Sequence, residues 1–313
     1  MEWHTRITEL LGIKYPIVEG ALAGIGTVDL AAAVSEAGAL GMITAWMLGS
    51  PEKLRSEIRR FRSISDKPFA VNFSPTMDIK LLDMLAVAIE EKVPIIETAG
   101  SRAVEYGRRI KDAGLIWIHK VQTQRHALAA ERDGADAICI MGLEGAGLKN
   151  PTVLPTMVTI AMAAKTVKAP LIAAGGIGDG RTFLGALALG AEAVQLGTLF
   201  CAVKESPLSQ KRKEALVAAD PYASEWRDPI LTTPKPEDLQ KVQEAVGTRA
   251  IMKAAGKAED FGIPKSAGTG AISLAIGFIN QVVPAEELIT GIMQEAEEIL
   301  ISKGIGGYRL IPS

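Results

Sequence analysis

The sequence predicts an α/β protein, a (β/α)8 barrel with a small, mostly helical insertion over the barrel mouth. Three observations carry this. Eight short apolar runs recur along the chain, stretches of helical spacing lie between them, and polar residues stand where the runs end. Runs that are apolar throughout, rather than alternating, suit parallel strands buried on both faces. Strands alternating with helices point to βαβ units, and eight such units to closure into a barrel. A doubly wound open sheet also alternates in this way and is the competing architecture.

The predicted strands, in order, are Pro16–Glu19, Leu40–Thr44, Phe69–Phe73, Pro94–Thr98, Leu115–Lys120, Ala137–Met141, Leu171–Ala174 and Ala193–Leu196. Helical spacing covers Thr27–Ala37, Pro51–Phe61, Ile79–Glu90, Arg102–Ala113, Gln122–Asp133, Pro155–Thr166 and Arg181–Leu189. Gly38, Gly114, Gly134 and Gly190 follow helical stretches, where a left-handed cap is wanted. Ser50-Pro51 reads as an N-cap followed by proline at the first helical position. The polar strand ends are Glu19, Thr44, Asn72, Glu97 and Lys120, with Glu144 just past its strand. In a barrel all of them converge on one face.

After Phe200 the rhythm breaks. Ser206–Gln240 is charged and proline-punctuated, Asp238–Lys257 has helical spacing, Phe261–Ser273 reads as a loop, and Pro284–Lys303 is helical again. The expected organisation is a barrel from residues 1–205 and 271–313, with 206–270 as a lid insertion.

Composition narrows the function. Of 313 residues, 34 are basic and 36 acidic, a formal net charge of -2, so the basic footprint of a nucleic-acid partner is missing. No apolar run reaches the ~18 residues that a transmembrane helix requires. The N-terminus lacks the pattern of a secretory signal, so a cytoplasmic location and no membrane partner are expected. Cys139 and Cys201 lie in apolar surroundings and read as buried, reduced thiols. His4, His119 and His126 show no metal-ligand spacing, and no Gly-x-Ser-x-Gly elbow occurs.

The strongest local signal is Ala173-Ala174-Gly175-Gly176-Ile177-Gly178-Asp179-Gly180, between a predicted strand and a predicted helix. Such glycines let backbone N–H groups approach an anion, with the following helix N-terminus adding positive potential. Gln195-Leu196-Gly197-Thr198 ends the eighth strand, and loops after strands seven and eight are where barrels commonly hold phosphate. The plainer reading is that these glycines only cap turns. Gly24-Ile25-Gly26 does not make a dinucleotide fingerprint, because position 29 is Asp29.

Taken together, "YPIVEGALAG" (Tyr15–Gly24), "GALGMI" (Gly38–Ile43), "PFAVNF" (Pro68–Phe73), "IIETAG" (Ile95–Gly100), "IHK" (Ile118–Lys120), "RHALAAERDGADAICIMGLEGAG" (Arg125–Gly147), "IAAGGIGDGR" (Ile172–Arg181) and "GAEAVQLGTLF" (Gly190–Phe200) resemble the nitronate monooxygenase (2-nitropropane dioxygenase) family. That family has relatives among NADH:quinone reductases and flavin-dependent enoyl-ACP reductases. The resemblance implies a flavoprotein using FMN on a (β/α)8 barrel, with the ring against the backbone of Ala21, Leu22 and Ala23. Asn72 and Lys120 would reach the ring, Ala146 would contribute backbone, and the phosphate would sit on Gly175, Gly176, Gly197 and Thr198. Lys120 would stabilise the negative charge of the reduced flavin.

The sequence also departs from the family. Leu148 stands where the family carries its histidine acid/base, and leucine can neither take nor give a proton. Glu19 replaces the glutamine commonly found in the first loop. Lys120 is the leading catalytic candidate, and Glu144 or Glu19 could substitute as base. The expected function is oxidation of small alkyl nitronates with O2. The alternatives are an NAD(P)H-dependent quinone or enoyl-thioester reductase, and a flavin-binding protein whose catalysis is altered or lost. The partners expected are small molecules, with a homodimer as the assembly.

Overall fold

The computed structural model describes residues 2–75, 81–147, 149, 152–231 and 272–303. Eight parallel strands form one sheet: β1 (Ile17–Glu19), β2 (Gly41–Thr44), β3 (Phe69–Phe73), β4 (Ile95–Ala99), β5 (Ile116–Val121), β6 (Ala137–Met141), β7 (Leu171–Ala174) and β8 (Ala193–Leu196). Their order is β1-β8-β7-β6-β5-β4-β3-β2, so β1 and β2 are the last two staves. A parallel bridge between Val18 and Leu40 joins them, which makes the sheet a barrel and removes the open-sheet alternative.

The seam is short. Leu40 N donates to Ile17 O at 2.9 Å and Glu19 N to Leu40 O at 2.8 Å. Where the next backbone bond of the ladder would fall, Met42 N donates to the Glu19 side chain, at 2.9 Å from Oε2. A carboxyl group thus completes the closure.

The helices are α1 (Arg6–Leu11), α2 (Val28–Glu36), α3 (Pro51–Ile64), α4 (Leu81–Glu90), α5 (Val104–Asp112), α6 (Gln124–Arg132), α7 (Thr156–Ala163), α8 (Gly180–Ala188), α9 (Thr198–Cys201), α10 (Gln210–Val217), α11 (Ser224–Leu231) and α12 (Ala285–Glu298). Helices α2 to α8 correspond to the expected segments; most are trimmed at their ends, while α3 runs on to Ile64 and α8 starts one residue early, at Gly180. Helix α1 is not signalled by periodicity, since six residues are too few to show it. Its Thr5–Thr8 capping box and left-handed Gly12 define it instead. Of the expected insertion, α10 and α11 are described; the helix expected over Asp238–Lys257 and nearly all of the loop expected over Phe261–Ser273 lie outside the described residues. Among the described residues, no helix is long and apolar enough to cross a membrane.

Side-chain alternation along the strands separates two cores. Ile17, Val71, Ile96, Trp117, Ile138, Ala173 and Val194 face the helical shell. Val18, Ala70, Ile95, Ile118, Ala137, Ile172 and Ala193 fill the lumen, whose lower end is plugged by Ile7 and Leu11 of α1.

Candidate active site

Two residues beyond the lumen layer, the same alternation aims Asn72, Glu97, Lys120, Cys139 and Gln195 into the barrel near its C-terminal end. Strand register sets Asn72 beside Glu97 and Lys120 beside Cys139. Asn72 Nδ2 donates to Glu97 Oε1 at 2.7 Å, and Gln195 Nε2 donates to Glu97 Oε2 at 2.5 Å. Cys139 Sγ donates to Gln195 Oε1 at 3.3 Å. Asn72 and Glu97 are wholly buried. Burial raises the Glu97 carboxyl above the usual range, while the Lys120 charge and the bonds from Gln195 and Asn72 pull it back. The buried thiols of Cys139 and Cys201 are free and pushed up to about 12, so neither is a thiolate at neutral pH.

The sequence offers Asn72 and Lys120 as candidate site residues, Glu97 only as a polar strand end and Gln195 only as part of the Gln195–Thr198 segment; the structure brings all four to one layer. The signal that would have ranked Glu97 and Gln195 with the other two is register, since each stands two residues beyond a small or aliphatic lumen residue, as Asn72 and Lys120 do.

The loop after β1 is fixed by β2. Leu22 N donates to Thr44 Oγ1 at 3.1 Å, and Thr44 N to Gly26 O at 3.1 Å. Gly20 N donates to Leu196 O at 2.7 Å. A Cβ on Gly197 would lie 3.4 Å from the Leu22 side chain, which brings the Ala21–Ala23 segment against Gly197 and Thr198. Gly175 and Gly176 have φ of 105° and 70°, conformations that other residues rarely adopt. A Cβ on Gly175 would also crowd Thr156 Oγ1 at 2.8 Å.

The N-terminus of α8 is already satisfied. Asp179 caps it through Thr182 N at 2.8 Å, and Gly180 N donates to Glu295 Oε2 at 2.9 Å. The expectation that this helix end lends its positive potential to an anion therefore meets two carboxylates, and an anion here must rely on loop backbone.

Glu144 Oε2 accepts from Thr156 N at 2.8 Å and Thr156 Oγ1 at 2.7 Å, so its carboxylate sits on the first residue of α7. The Glu144 carbonyl accepts from Leu274 N at 3.1 Å, and Thr198 Oγ1 from Ser273 N at 2.8 Å. The segment leading into the 3-10 turn Leu274–Phe278 is thereby tied to the loops after β6 and β8. Lys149, buried and pushed down to about 8, donates to Leu143 O at 2.6 Å and to Ile230 O, joining the β6 loop to α11. Ala146 belongs to the same loop and is half-buried. Leu148 lies outside the described residues.

Two other titratable groups are excluded by direction. Glu19 is fully buried at the seam, on the helix-facing side of β1, with Oε1 unpartnered. Burial holds its carboxyl well above the usual range, so the fold favours the neutral acid. His119 neighbours Lys120 in sequence but faces the shell, where Nδ1 lies 2.7 Å from Thr98 Oγ1; burial lowers it to about 4. It cannot stand in for the family histidine at the mouth. Among the described residues, no three or more His, Cys, Asp or Glu side chains gather as a metal site.

Comparison with known proteins accounts for this arrangement. The profile described as nitronate monooxygenase matches residues 4–226. A nitronate monooxygenase of Pseudomonas aeruginosa is 32% identical over 257 residues, 67% of this chain and 73% of its own length. A Mycobacterium tuberculosis protein named (3aS,4S,5R,7aS)-5-hydroxy-7a-methyl-1-oxo-octahydro-1H-indene-4-carboxyl-CoA dehydrogenase is 31% identical over 268 residues, 82% of this chain and 74% of its own. The structure of FabK from Thermotoga maritima superposes with a TM-score of 0.79 at 34% identity, covering 95% of this chain and 97% of that one. The motifs, the barrel and the profile agree: this chain belongs to the nitronate monooxygenase family, whose members are flavin-dependent oxidoreductases.

Proposed function

We propose that this protein oxidises small alkyl nitronates with O2 on bound FMN. The observation that carries the reading is Lys120, a cation aimed into the lumen beside a buried polar layer, under a β7 loop in which Gly175 and Gly176 hold positive φ. The residues suit the group on structural grounds. The unpartnered Asn72 Oδ1 offers a buried acceptor, and Gly175 and Gly176, at positive φ, let the loop after β7 pack against Thr156 and Glu144. Asn72 and Lys120 would hold the ring with the backbone of Ala21, Leu22, Ala23 and Ala146, and Gly175, Gly176, Gly197 and Thr198 would hold the phosphate. Bound FMN would supply the two-electron oxidation, with O2 as the final electron acceptor.

The chain's own contribution is electrostatic and positional. The Lys120 ammonium offsets negative charge arriving at the mouth, and the buried layer keeps water out of the lumen. A preformed nitronate is already an anion, so its oxidation asks for no general base. With leucine at position 148, His119 facing the shell and the Glu144 carboxylate on Thr156, the protein is suited to that substrate form.

Oxygen uptake with propionate-3-nitronate tests the reading, with neutral nitroalkanes as comparison. Nitronates should be preferred by roughly 10²–10⁴-fold, the usual contribution of general acid–base catalysis. Equal turnover of neutral nitroalkanes would require a base in the site. A second reading, NAD(P)H-dependent reduction of an enoyl thioester or quinone, draws on the likeness to a relative named for a carboxyl-CoA substrate. Nicotinamide oxidation with such acceptors and no nitronate-linked oxygen uptake would favour it.

A further inference from the structure

Glu97 occupies a place that the flavin reading does not use. It is wholly buried at the centre of the upper lumen, and each carboxylate oxygen receives a different side-chain amide, from Asn72 at 2.7 Å and Gln195 at 2.5 Å. A side-chain amide has a donating end and an accepting end, and an ionised carboxylate can only accept. Toward the ionised carboxylate Asn72 presents Nδ2, as the 2.7 Å bond has it, which turns Oδ1 away from Glu97. That Oδ1 is buried and has no partner. Gln195 is turned in the same sense, and its Oε1 is taken by Cys139 Sγ. A buried acceptor left open costs about 1–3 kcal/mol unless something donates to it.

We propose that Glu97 is a positioning residue that fixes the polarity of Asn72, so that the site offers its ligand an acceptor rather than a donor. This rests on the flavin reading, in which the complement is a ring N–H of the isoalloxazine. Glu97 also sets the charge opposite Lys120, the only pairing of opposite charges in this layer among the described residues. The two roles are separable by experiment.

The decisive variant is Glu97→Gln, nearly the same shape but with a carboxamide that can donate as well as accept. It releases Asn72 to turn over and removes the negative charge. FMN titrated into apoprotein, followed by flavin fluorescence, should bind about tenfold more weakly than to the wild type, and the midpoint potential of the bound flavin should rise. Adding Asn72→Asp to Glu97→Gln restores an obligate acceptor toward the mouth, with the new carboxamide donating to it. Binding should recover to within about threefold of wild type while the potential falls again. Thermal melts establish that each variant is folded. Glu97→Asp, which keeps the charge and can only accept, should hold FMN affinity within about threefold of wild type and leave the potential in place; a tenfold loss there would overturn the role assigned to the carboxylate. A wild-type apoprotein that ignores FMN would defeat the flavin reading itself. Wild-type affinity and potential in folded Glu97→Gln, or no recovery in the double variant, would overturn the positioning role of Glu97.

Discussion

The two ends of the barrel lumen are equally buried and chemically opposite. At the lower end, Ile7 and Leu11 of α1 meet Val18, Leu40, Ala70, Ile95 and Ile118, side chains that ask nothing of their neighbours but shape. At the upper end, Asn72, Glu97, Cys139 and Gln195 are just as enclosed, yet each polar atom must find a partner. The lower end stabilises by removing apolar surface from water. The upper end tolerates unfavourable burial because its groups satisfy one another, with Asn72 Oδ1 left over. Burial alone does not distinguish core from site in this barrel. A layer of polar side chains that satisfy one another, with one acceptor left facing the lumen, does.

The contrast can be broken from either end. The largest expected effect is Leu11→Ala in the plug, a loss of about 2–5 kcal/mol of stability from the cavity it leaves. Denaturant melts should show that loss, with turnover per folded molecule unchanged; a matching fall in turnover would mean that the two ends are coupled. Lys120→Met should do the reverse. Flavin reduction should slow by about 10²-fold and the midpoint potential should drop, with the melting temperature held. An unchanged potential would remove Lys120 from the site.

Glu19 sharpens the comparison through pH. Its carboxyl is raised by burial, so its stabilising contribution is full below the ordinary carboxylate pKa and falls as pH rises toward the folded value. The slope over that window is at most about 1.4 kcal/mol per pH unit. Glu19→Gln removes this dependence, and the difference in melting between variant and wild type should widen from pH 5 to pH 8. Parallel curves would show that Glu19 is ionised in the fold. The smallest effect belongs to Glu144→Ala, which uncaps α7 at a cost of about 1 kcal/mol. Turnover should stay within a few-fold, and a collapse of turnover at constant stability would instead make Glu144 the base.

The architecture was legible because parallel strands covered on both faces read as unbroken apolar runs, and all eight stand where those runs fall. Helix α1 escaped, since its information lies in Thr5, Thr8 and Gly12 rather than in a period. Asn72 and Lys120 became candidates through their places at strand ends together with the family resemblance, and the structure brings both to one layer. Glu97 and Gln195 could not be ranked as site residues, because their significance lies in which amide faces which oxygen across neighbouring and opposite staves. Letters also mislead where burial changes the chemistry. Glu19 looks like a departure from glutamine, but burial pushes its carboxyl toward the neutral form, whose charge matches that of a carboxamide.

The seam where β1 meets β2 has one more consequence. The Met42 amide proton is guarded by a side chain rather than by a backbone carbonyl. A side chain can swing away without unravelling a strand, so deuterium should enter at Met42 sooner than at Thr44, whose amide is held by the Gly26 carbonyl. That amide would serve as a built-in gauge of barrel closure, readable by hydrogen exchange without any change to the sequence.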